Sequence, residues 1–120
     1  MFLQLAHTKL TVYQVLEKLI LACYKIIKLL PGCKRFAMVQ QLRRAVLPVH
    51  LNVAEASSRK SEAERKRFYE IARGAVIEVD AAIGIAYKLL YVDKQQLKRL
   101  GQLIIRCYKL LFGMIKPCEE

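Results

Sequence analysis

The chain has 120 residues, 55% of them apolar, and carries a formal net charge of +11 from 21 basic and 10 acidic residues. This length predicts a single domain over residues 1–120 with one hydrophobic core, and the apolar content excludes a disordered chain. The positive charge favours a polyanionic partner, namely nucleic acid, an acidic protein or an anionic membrane surface.

The first predicted helix ends at Pro31-Gly32. Its apolar residues recur in steps of four and three, which places them on one helix face. They are Val12, Leu16, Leu19, Cys23, Ile26 and Leu30. Three lysines interrupt this segment, so it lacks the run of about 18 uncharged residues that a membrane span needs. The chain begins without the pattern of a secretion signal, and we expect a cytoplasmic protein with no membrane association.

The second helix is predicted from Lys34 to Ser57, and Pro48 inside it should cause a kink or a break. The third helix begins at the sequence SEAE, where Ser61 caps the helix and Glu64 completes a capping box. Its apolar seam consists of Phe68, Ala72, Ala75, Val79, Ala82, Ala86 and Leu89.

The fourth helix opens at Asp93, with Gln96 in the capping-box position, and stops at Lys116-Pro117. Its seam consists of Leu97, Leu100, Ile104, Cys107, Leu111 and Met114. Because only short connections join the four helices, sequential helices should be antiparallel neighbours. The predicted fold is all-α, an antiparallel up-down-up-down four-helix bundle.

Many apolar residues lie outside these seams in the last two helices. They are Val76, Ile77, Ile83, Ile85 and Tyr87 in the third helix and Leu103, Ile105, Tyr108, Leu110, Phe112 and Ile115 in the fourth. A wide core would account for some of them. Self-association accounts better for so many, because large exposed apolar patches usually mark interfaces, and we therefore expect a homo-oligomer.

Positive charge is concentrated around the turn between the second and third helices. From Cys33 to Arg73 there are ten basic residues against four acidic ones. The candidate nucleic-acid-binding residues are Arg43, Arg59, Lys60, Arg65, Lys66 and Arg67. Arg59, Lys60, Lys66 and Arg67 flank the turn and are expected to be exposed, and the start of a helix also attracts phosphate. Contact with backbone phosphates is favoured over base reading, although a solvated surface with local Glu pairs would give the same pattern.

Signatures of catalysis are missing from the sequence. The two histidines, His7 and His50, lie outside any Glu-x-x-His motif, and the cysteines lack zinc-site spacing. No phosphate loop or nucleophile motif is present. We expect a non-enzymatic protein without a metal or other cofactor.

Three carboxylates, Glu55, Glu78 and Asp80, interrupt apolar runs in the second and third helices. They are interpreted as half-buried acids paired with Arg44 or Arg73 rather than as acid–base groups. Asn52, one turn before Glu55, is expected to join this network.

Residues 41–91, QLRRAVLPVHLNVAEASSRKSEAERKRFYEIARGAVIEVDAAIGIAYKLLY, resemble the four-helix-bundle proteins encoded by bacterial ribosomal-RNA intervening sequences. The family pattern runs from Q-x-x-R-A through N-I-A-E-G and R-x-S to a phenylalanine and I-A-x-G-S-x-x-E. The matching positions are Gln41, Arg44, Ala45, Asn52, Val53, Ala54, Glu55, Arg59, Ser61, Phe68, Ile71, Ala72, Gly74 and Glu78. The chain departs from the pattern at Ala56, Ala75 and His50, where the family has Gly, Ser and Pro.

This resemblance implies a ring-shaped homopentamer without known catalytic activity. The related accessory proteins of diversity-generating retroelements share the fold and bind nucleic acid and a reverse transcriptase. Arg44, Asn52, Glu55, Arg73, Gly74 and Glu78 are then expected to organise the bundle. Two functions stay open: binding of structured RNA or DNA through backbone phosphates, or a protein scaffold that recruits a partner enzyme such as a reverse transcriptase.

Overall fold

Four α-helices make up the chain in the computed structural model, which describes residues 2, 3, 5, 10–30 and 36–115. They are α1 (Thr11–Leu29), α2 (Phe36–Ser57), α3 (Glu62–Lys88) and α4 (Lys94–Ile115). Each helix packs on the next in the chain, and α4 returns to pack on α1, whereas among the described residues no Cα atoms of a diagonal helix pair approach within 8 Å. Short connections and this cyclic order give the predicted up-down-up-down four-helix bundle. No strand occurs in the described residues.

The core lies along the bundle axis and takes one apolar stripe from each helix. All six residues predicted for the stripe of α1 are buried. Leu16, Leu42, Leu100 and Leu111 lie among the largest fully buried side chains, and each such leucine contributes about 2 kcal/mol of hydrophobic free energy. Periodicity identified the stripe because each helix in such a bundle directs one apolar face toward the core, away from solvent.

The core is wider than the predicted seams of α3 and α4. Val76, Ile83 and Leu103, which the sequence left outside those seams, are buried. A helix that packs on two neighbouring helices buries a wider face than the predicted seam, because residues on both sides of the seam contact an adjacent helix. Leu89, predicted to lie in the seam, is exposed because α3 has already ended at Lys88. Phe68 is only partly buried at the edge of the core.

The sequence predicts a kink or a break at Pro48, and α2 continues through this residue without a break. The side-chain amide of Asn52 donates a hydrogen bond of 2.7 Å to the Pro48 carbonyl oxygen. Val46, Val49 and Val53 are fully buried on both sides of the proline. Packing of this apolar face therefore maintains the helix across the backbone bond that proline removes.

Ser61 and Asp93 cap their helices as predicted, but the Glu64 side chain does not return the bond that would complete the predicted box at α3. The backbone N–H of Glu64 donates to Ser61 Oγ at 3.0 Å. At α4 the box is complete: the Asp93 N–H donates to Gln96 Oε1 at 2.9 Å, and the Gln96 N–H donates to Asp93 Oδ1 at 2.8 Å. These bonds satisfy amides that have no partner inside the helix. The predicted boundaries at Pro31-Gly32, at Lys34 and at Lys116-Pro117 lie outside the described residues.

The end of α3 was not anticipated. Leu90 has φ of 64°, in the left-handed region, where glycine is the usual residue. The Tyr91 N–H donates to the Ala86 carbonyl and the Leu90 N–H to the Tyr87 carbonyl, at 3.0 Å each. This pair of bonds is a Schellman motif, and it reverses the chain toward α4.

Candidate nucleic-acid interface

The turn between α2 and α3 is held by hydrogen bonds to carbonyls at the end of α2. Ser57 Oγ donates to the Ala54 carbonyl and Ser58 Oγ to the Glu55 carbonyl, both at 2.7 Å. The backbone N–H of Arg59 donates to the Ala56 carbonyl at 3.1 Å. Serine hydroxyls thus add to the backbone hydrogen bonds that close the end of α2.

Arg59 is engaged within the protomer rather than free for a ligand. Its guanidinium donates to a carboxylate oxygen of Glu55, one helical turn earlier, and forms an ion pair there. The same guanidinium lies over the Phe68 ring, 5.0 Å from the ring centroid. The Arg59 side chain is nevertheless 40% exposed, and its predicted role in binding phosphate stays a prediction.

Two further candidates also have partners. Arg65 Nη1 donates to the carbonyls of Arg59 and Lys60, at 3.0 and 2.9 Å, and so braces the turn. Lys66 Nζ lies 3.3 Å from a carboxylate oxygen of Glu62, and the Lys66 side chain is 28% exposed. Arg65 therefore shapes the loop, and the charge of Lys66 is partly neutralised by its neighbour.

The remaining candidates, Arg43, Lys60 and Arg67, are exposed and have no carboxylate partner among the described residues. Arg43 lies on α2, whereas Lys60 and Arg67 lie at the turn and on the first turns of α3. These three side chains are the part of the predicted site that is open to a phosphate group.

Acidic residues accompany the basic ones along the whole of α3. Helix α3 contains equal numbers of basic and acidic residues. The basic ones are Arg65, Lys66, Arg67, Arg73 and Lys88, and the acidic ones are Glu62, Glu64, Glu70, Glu78 and Asp80. A polyanion that approaches α3 would meet both signs of charge.

Helix α4 has the opposite character. It contains Lys94, Lys98, Arg99, Arg106 and Lys109 and no acidic residue. Sequence reasoning missed this helix because its basic residues are spread over several turns rather than clustered. The signal that identifies it is the lack of acids across a helix of 22 residues.

An apolar groove runs between the outer sides of α3 and α4, with a volume of about 710 Å³. Its lining includes Gly84, Tyr87, Gly101 and Ile105, and a smaller cavity that shares Ile105 extends it to Ile77 and Tyr108. Ile77 and Ile105 are 50% and 57% exposed. We name the surface formed by these six residues the α3–α4 groove.

The described residues also bear on metal binding, membrane insertion and thiol reactivity. They contain no group of three or more His, Cys, Asp or Glu residues placed to hold a metal ion. No described helix combines the length and hydropathy needed to cross a membrane. Cys23 and Cys107 are buried free thiols. Burial raises the pKa of Cys23 to about 11 and that of Cys107 to about 12, which makes both poor nucleophiles.

Comparison with known proteins identifies the lineage of the chain. A sequence profile of the 23S rRNA-intervening sequence protein family matches residues 8–113. The chain belongs to this family. No significant match was found among curated proteins.

A solved crystal structure has the same four-helix-bundle fold. The crystal structure of a protein of unknown function from the S23 ribosomal protein family of Bacteroides thetaiotaomicron superposes with a TM-score of 0.82. The two chains share 20% sequence identity, and the match covers 89% of this chain and 100% of the other. At this identity the comparison establishes the four-helix bundle and nothing further.

In this 23S rRNA-intervening sequence protein the expected polar network does not form among the described residues of one protomer. Glu55 pairs with Arg59 rather than with Arg44 or Arg73. Glu55, Glu78 and Asp80 are exposed, because each lies on the side of its helix that faces away from the core. Neither Arg44, Arg73 nor Glu78 makes an ion pair in the described part of the chain.

Two motif positions are informative about packing. Ala56, where the family pattern has glycine, is fully buried, so its methyl group adds to the core. Gly74 shows no steric need for glycine within the protomer, since a Cβ there would meet no atom within 4 Å. The role of Gly74 in organising the bundle stays a prediction.

Proposed function

We propose that this protein binds nucleic acid through backbone phosphates, without reading bases and without catalysing a reaction. The proposal rests on how few of the Lys and Arg side chains are paired with a carboxylate. Among the Lys and Arg residues in the described part of the chain, Arg59 and Lys66 alone form an ion pair with a carboxylate. Apart from Arg65 and Arg73, which are partly buried, the other described cations are exposed, and they attract a polyanion by counterion release.

The proposal is consistent with membership of the 23S rRNA-intervening sequence protein family, whose name refers to a segment within 23S rRNA. We place the protein in the cytoplasm, where structured RNA and DNA are both accessible. The +11 charge of the whole chain adds long-range attraction to either ligand.

Aromatic side chains support backbone contact rather than base stacking. Phe68 is covered by the Arg59 guanidinium. Tyr108 and Phe112 stack on each other, with ring centroids 6.4 Å apart. Single-strand binders use open aromatic faces beside cations, and at the turn the Arg59 guanidinium already covers the Phe68 ring. We therefore expect similar affinity for different sequences of one nucleic-acid form.

We further propose that the protein acts as a homo-oligomer, with a pentameric ring as the form that the family resemblance implies. The α3–α4 groove exposes isoleucine and tyrosine side chains beside Gly84 and Gly101. A Cβ at either glycine would meet no atom within 4 Å, so no contact inside the protomer requires glycine there. Glycine in a helix interior costs up to about 1 kcal/mol, and the close approach of a second copy's helix is the reason we assign to it.

Fluorescence anisotropy tests the binding proposal. Labelled hairpin RNA, duplex DNA and single strands are titrated with the protein from about 50 mM to about 200 mM salt. We expect binding whose logarithmic salt slope corresponds to roughly four or more phosphate contacts. Absence of binding at the lowest salt to every nucleic acid would overturn the proposal.

A protein-interaction scaffold is the second candidate, and the exposed apolar α3–α4 groove favours it. Light scattering coupled to size exclusion separates the two uses of this surface. An oligomer whose assembly is abolished by Ile105→Glu assigns the groove to a second copy. A monomer at high concentration leaves the groove open to a different protein, such as an enzyme that this bundle recruits.

A further inference from the structure

We infer that the main phosphate-binding surface is the cleft between α1 and α4, rather than the turn between α2 and α3. The inference rests on the proposed function and specifies where the ligand binds. The ligand chemistry is the phosphodiester backbone that RNA and DNA share.

The cleft is a defined depression with a volume of about 360 Å³. Lys18 and Lys25 line it from α1, and Arg99 and Gln96 line it from α4. All four side chains belong to exposed residues, so their polar ends reach solvent. Leu100 and Leu103, which are buried, form part of its apolar floor.

No acidic residue lines this cleft. The nearest acids along the chain are engaged elsewhere. The Glu17 carboxylate lies 3.7 Å from His50 Nε2, on the side of α1 that faces α2. The Asp93 carboxylate accepts the Gln96 N–H at the start of α4. A phosphate in the cleft therefore meets cations and an amide without a competing carboxylate.

Basic residues continue along both walls beyond the cleft. Lys28 follows Lys25 by one helical turn on α1, and Arg106 follows Arg99 by two turns on α4. Neither residue has a carboxylate partner in the described part of the chain. The cleft is thus the centre of a longer basic strip that can follow a nucleic-acid backbone.

The spacing of the cations suits several phosphates. Lys18 and Lys25 are seven residues apart, which is about 10.5 Å along the helix axis. Successive phosphates of one strand advance by about 3.4 Å along a duplex, so the two lysines contact different phosphate groups. Arg99 adds a planar donor that binds phosphate oxygens in pairs.

The turn between α2 and α3 compares poorly with this cleft. There Arg59 and Lys66 have carboxylate partners, and Arg65 is bonded to backbone carbonyls. Three acidic residues, Glu62, Glu64 and Glu70, belong to the first turns of α3, in the same stretch of chain as Lys60 and Arg67. Clustering in the sequence therefore overstates the positive potential of the turn.

Two matched triple variants test the assignment. Lys18→Gln, Lys25→Gln and Arg99→Gln remove the cleft cations, and Arg43→Gln, Lys60→Gln and Arg67→Gln remove three exposed cations from α2 and the turn. Both change the net charge equally. We expect the cleft variant to weaken binding of hairpin RNA and duplex DNA at least about tenfold at low salt and to reduce the logarithmic salt slope by about 2 to 3. The turn variant should lose less than about threefold.

The outcomes separate the inference from the proposed function. Equal losses in the two variants, or a larger loss in the turn variant, would overturn the cleft assignment while nucleic-acid binding stands. Failure of the unmodified protein to bind any nucleic acid would overturn both. Circular dichroism melts of the variants establish whether the bundle folds.

Protection of individual lysines from chemical modification by bound nucleic acid provides an independent test in the protein without substitutions. Acylation with an amine-reactive ester is followed by mass spectrometry, with and without hairpin RNA or duplex DNA. We expect the bound nucleic acid to slow modification of Lys18 and Lys25 more than that of Lys60. Stronger protection of Lys60 than of the two cleft lysines would contradict the inference.

Discussion

The Arg59 guanidinium lies 5.0 Å from the centroid of the Phe68 ring while it is paired with the Glu55 carboxylate. Its charge connects the end of α2 to the first turns of α3. We therefore expect Arg59→Gln to lower the free energy of unfolding by about 1 kcal/mol, since it removes a cation–π contact and an ion pair of two partly exposed groups. Urea unfolding followed by circular dichroism measures the change.

Lys60→Gln is the matched control for that substitution. Lys60 is the next residue in the chain, is exposed, and has no carboxylate partner in the described residues. Its side chain should contribute less than about 0.5 kcal/mol to stability. Equal effects of the two changes would show that Arg59 acts only through net charge.

Leu90 occupies a left-handed backbone position at the end of α3, and its side chain is 87% exposed. A non-glycine residue in this conformation destabilises the folded state by roughly 1–2 kcal/mol. Replacing it with glycine removes that strain, but the greater conformational entropy of glycine in the unfolded chain offsets part of the gain. We expect Leu90→Gly to raise the unfolding free energy by about 0.5–1 kcal/mol and the melting temperature by about 3 °C. Calorimetry provides both values.

Leu89→Gly serves as the control, because Leu89 has φ of −81° and is likewise exposed. Glycine relieves no strain at that position and adds freedom to the unfolded chain, so this substitution should leave stability unchanged or lower it. A stabilisation of the same size at Leu89 would contradict the role of backbone strain at Leu90.

The two buried thiols should be chemically silent in the folded protein. Burial raises the pKa of Cys23 from 9.0 to about 11 and that of Cys107 from 9.0 to about 12, so little thiolate exists at pH 8. In a Cys33→Ser, Cys118→Ser variant we expect alkylation at least about 100-fold slower than in denaturant. Rapid reaction of either thiol in the folded state would show that the core opens readily.

The same thiols link stability to alkaline pH. Each folded-state pKa lies above the unfolded value, so the neutral thiol is favoured by folding. The contribution to stability is complete below pH of about 9 and decreases as pH rises toward 11 and beyond. Cys23→Ala, Cys107→Ala should flatten this part of the curve, which urea titrations between pH 8 and about 10.5 would detect.

Local patterns predicted the fold well because their causes are local. The capping residues Ser61, Asp93 and Gln96 all form the expected bonds, which depend only on residues within one turn. The apolar period placed the core of α1 correctly. The full width of the core at Val76 and Leu103 depends on two neighbouring helices, and no single helix's periodicity contains that information.

The state of each cation was harder to predict because it depends on which carboxylate faces it. The sequence allows local Glu pairs at Lys66, and the Glu62–Lys66 pair does form, but it assigns Glu55 to Arg44 or Arg73 rather than to Arg59, its observed partner. The cleft residues Lys18 and Arg99 come from the first and last helices. Only the closed order of the bundle brings them together.

Substitution of Gly84 should have opposite effects on the stability of the monomer and on association with a second copy. A Cβ there would meet no atom within 4 Å in the protomer, so Gly84→Ala should stabilise the dilute monomer by up to about 1 kcal/mol through helix propensity. In the proposed oligomer the methyl group occupies space at the interface and should weaken association. Gly113→Ala, which is equally open but lies outside the α3–α4 groove, should leave association unchanged. Sedimentation across a concentration series, together with melts at the lowest concentration, would measure both effects. Unchanged association of the Gly84 variant would mean that no second copy contacts this part of α3.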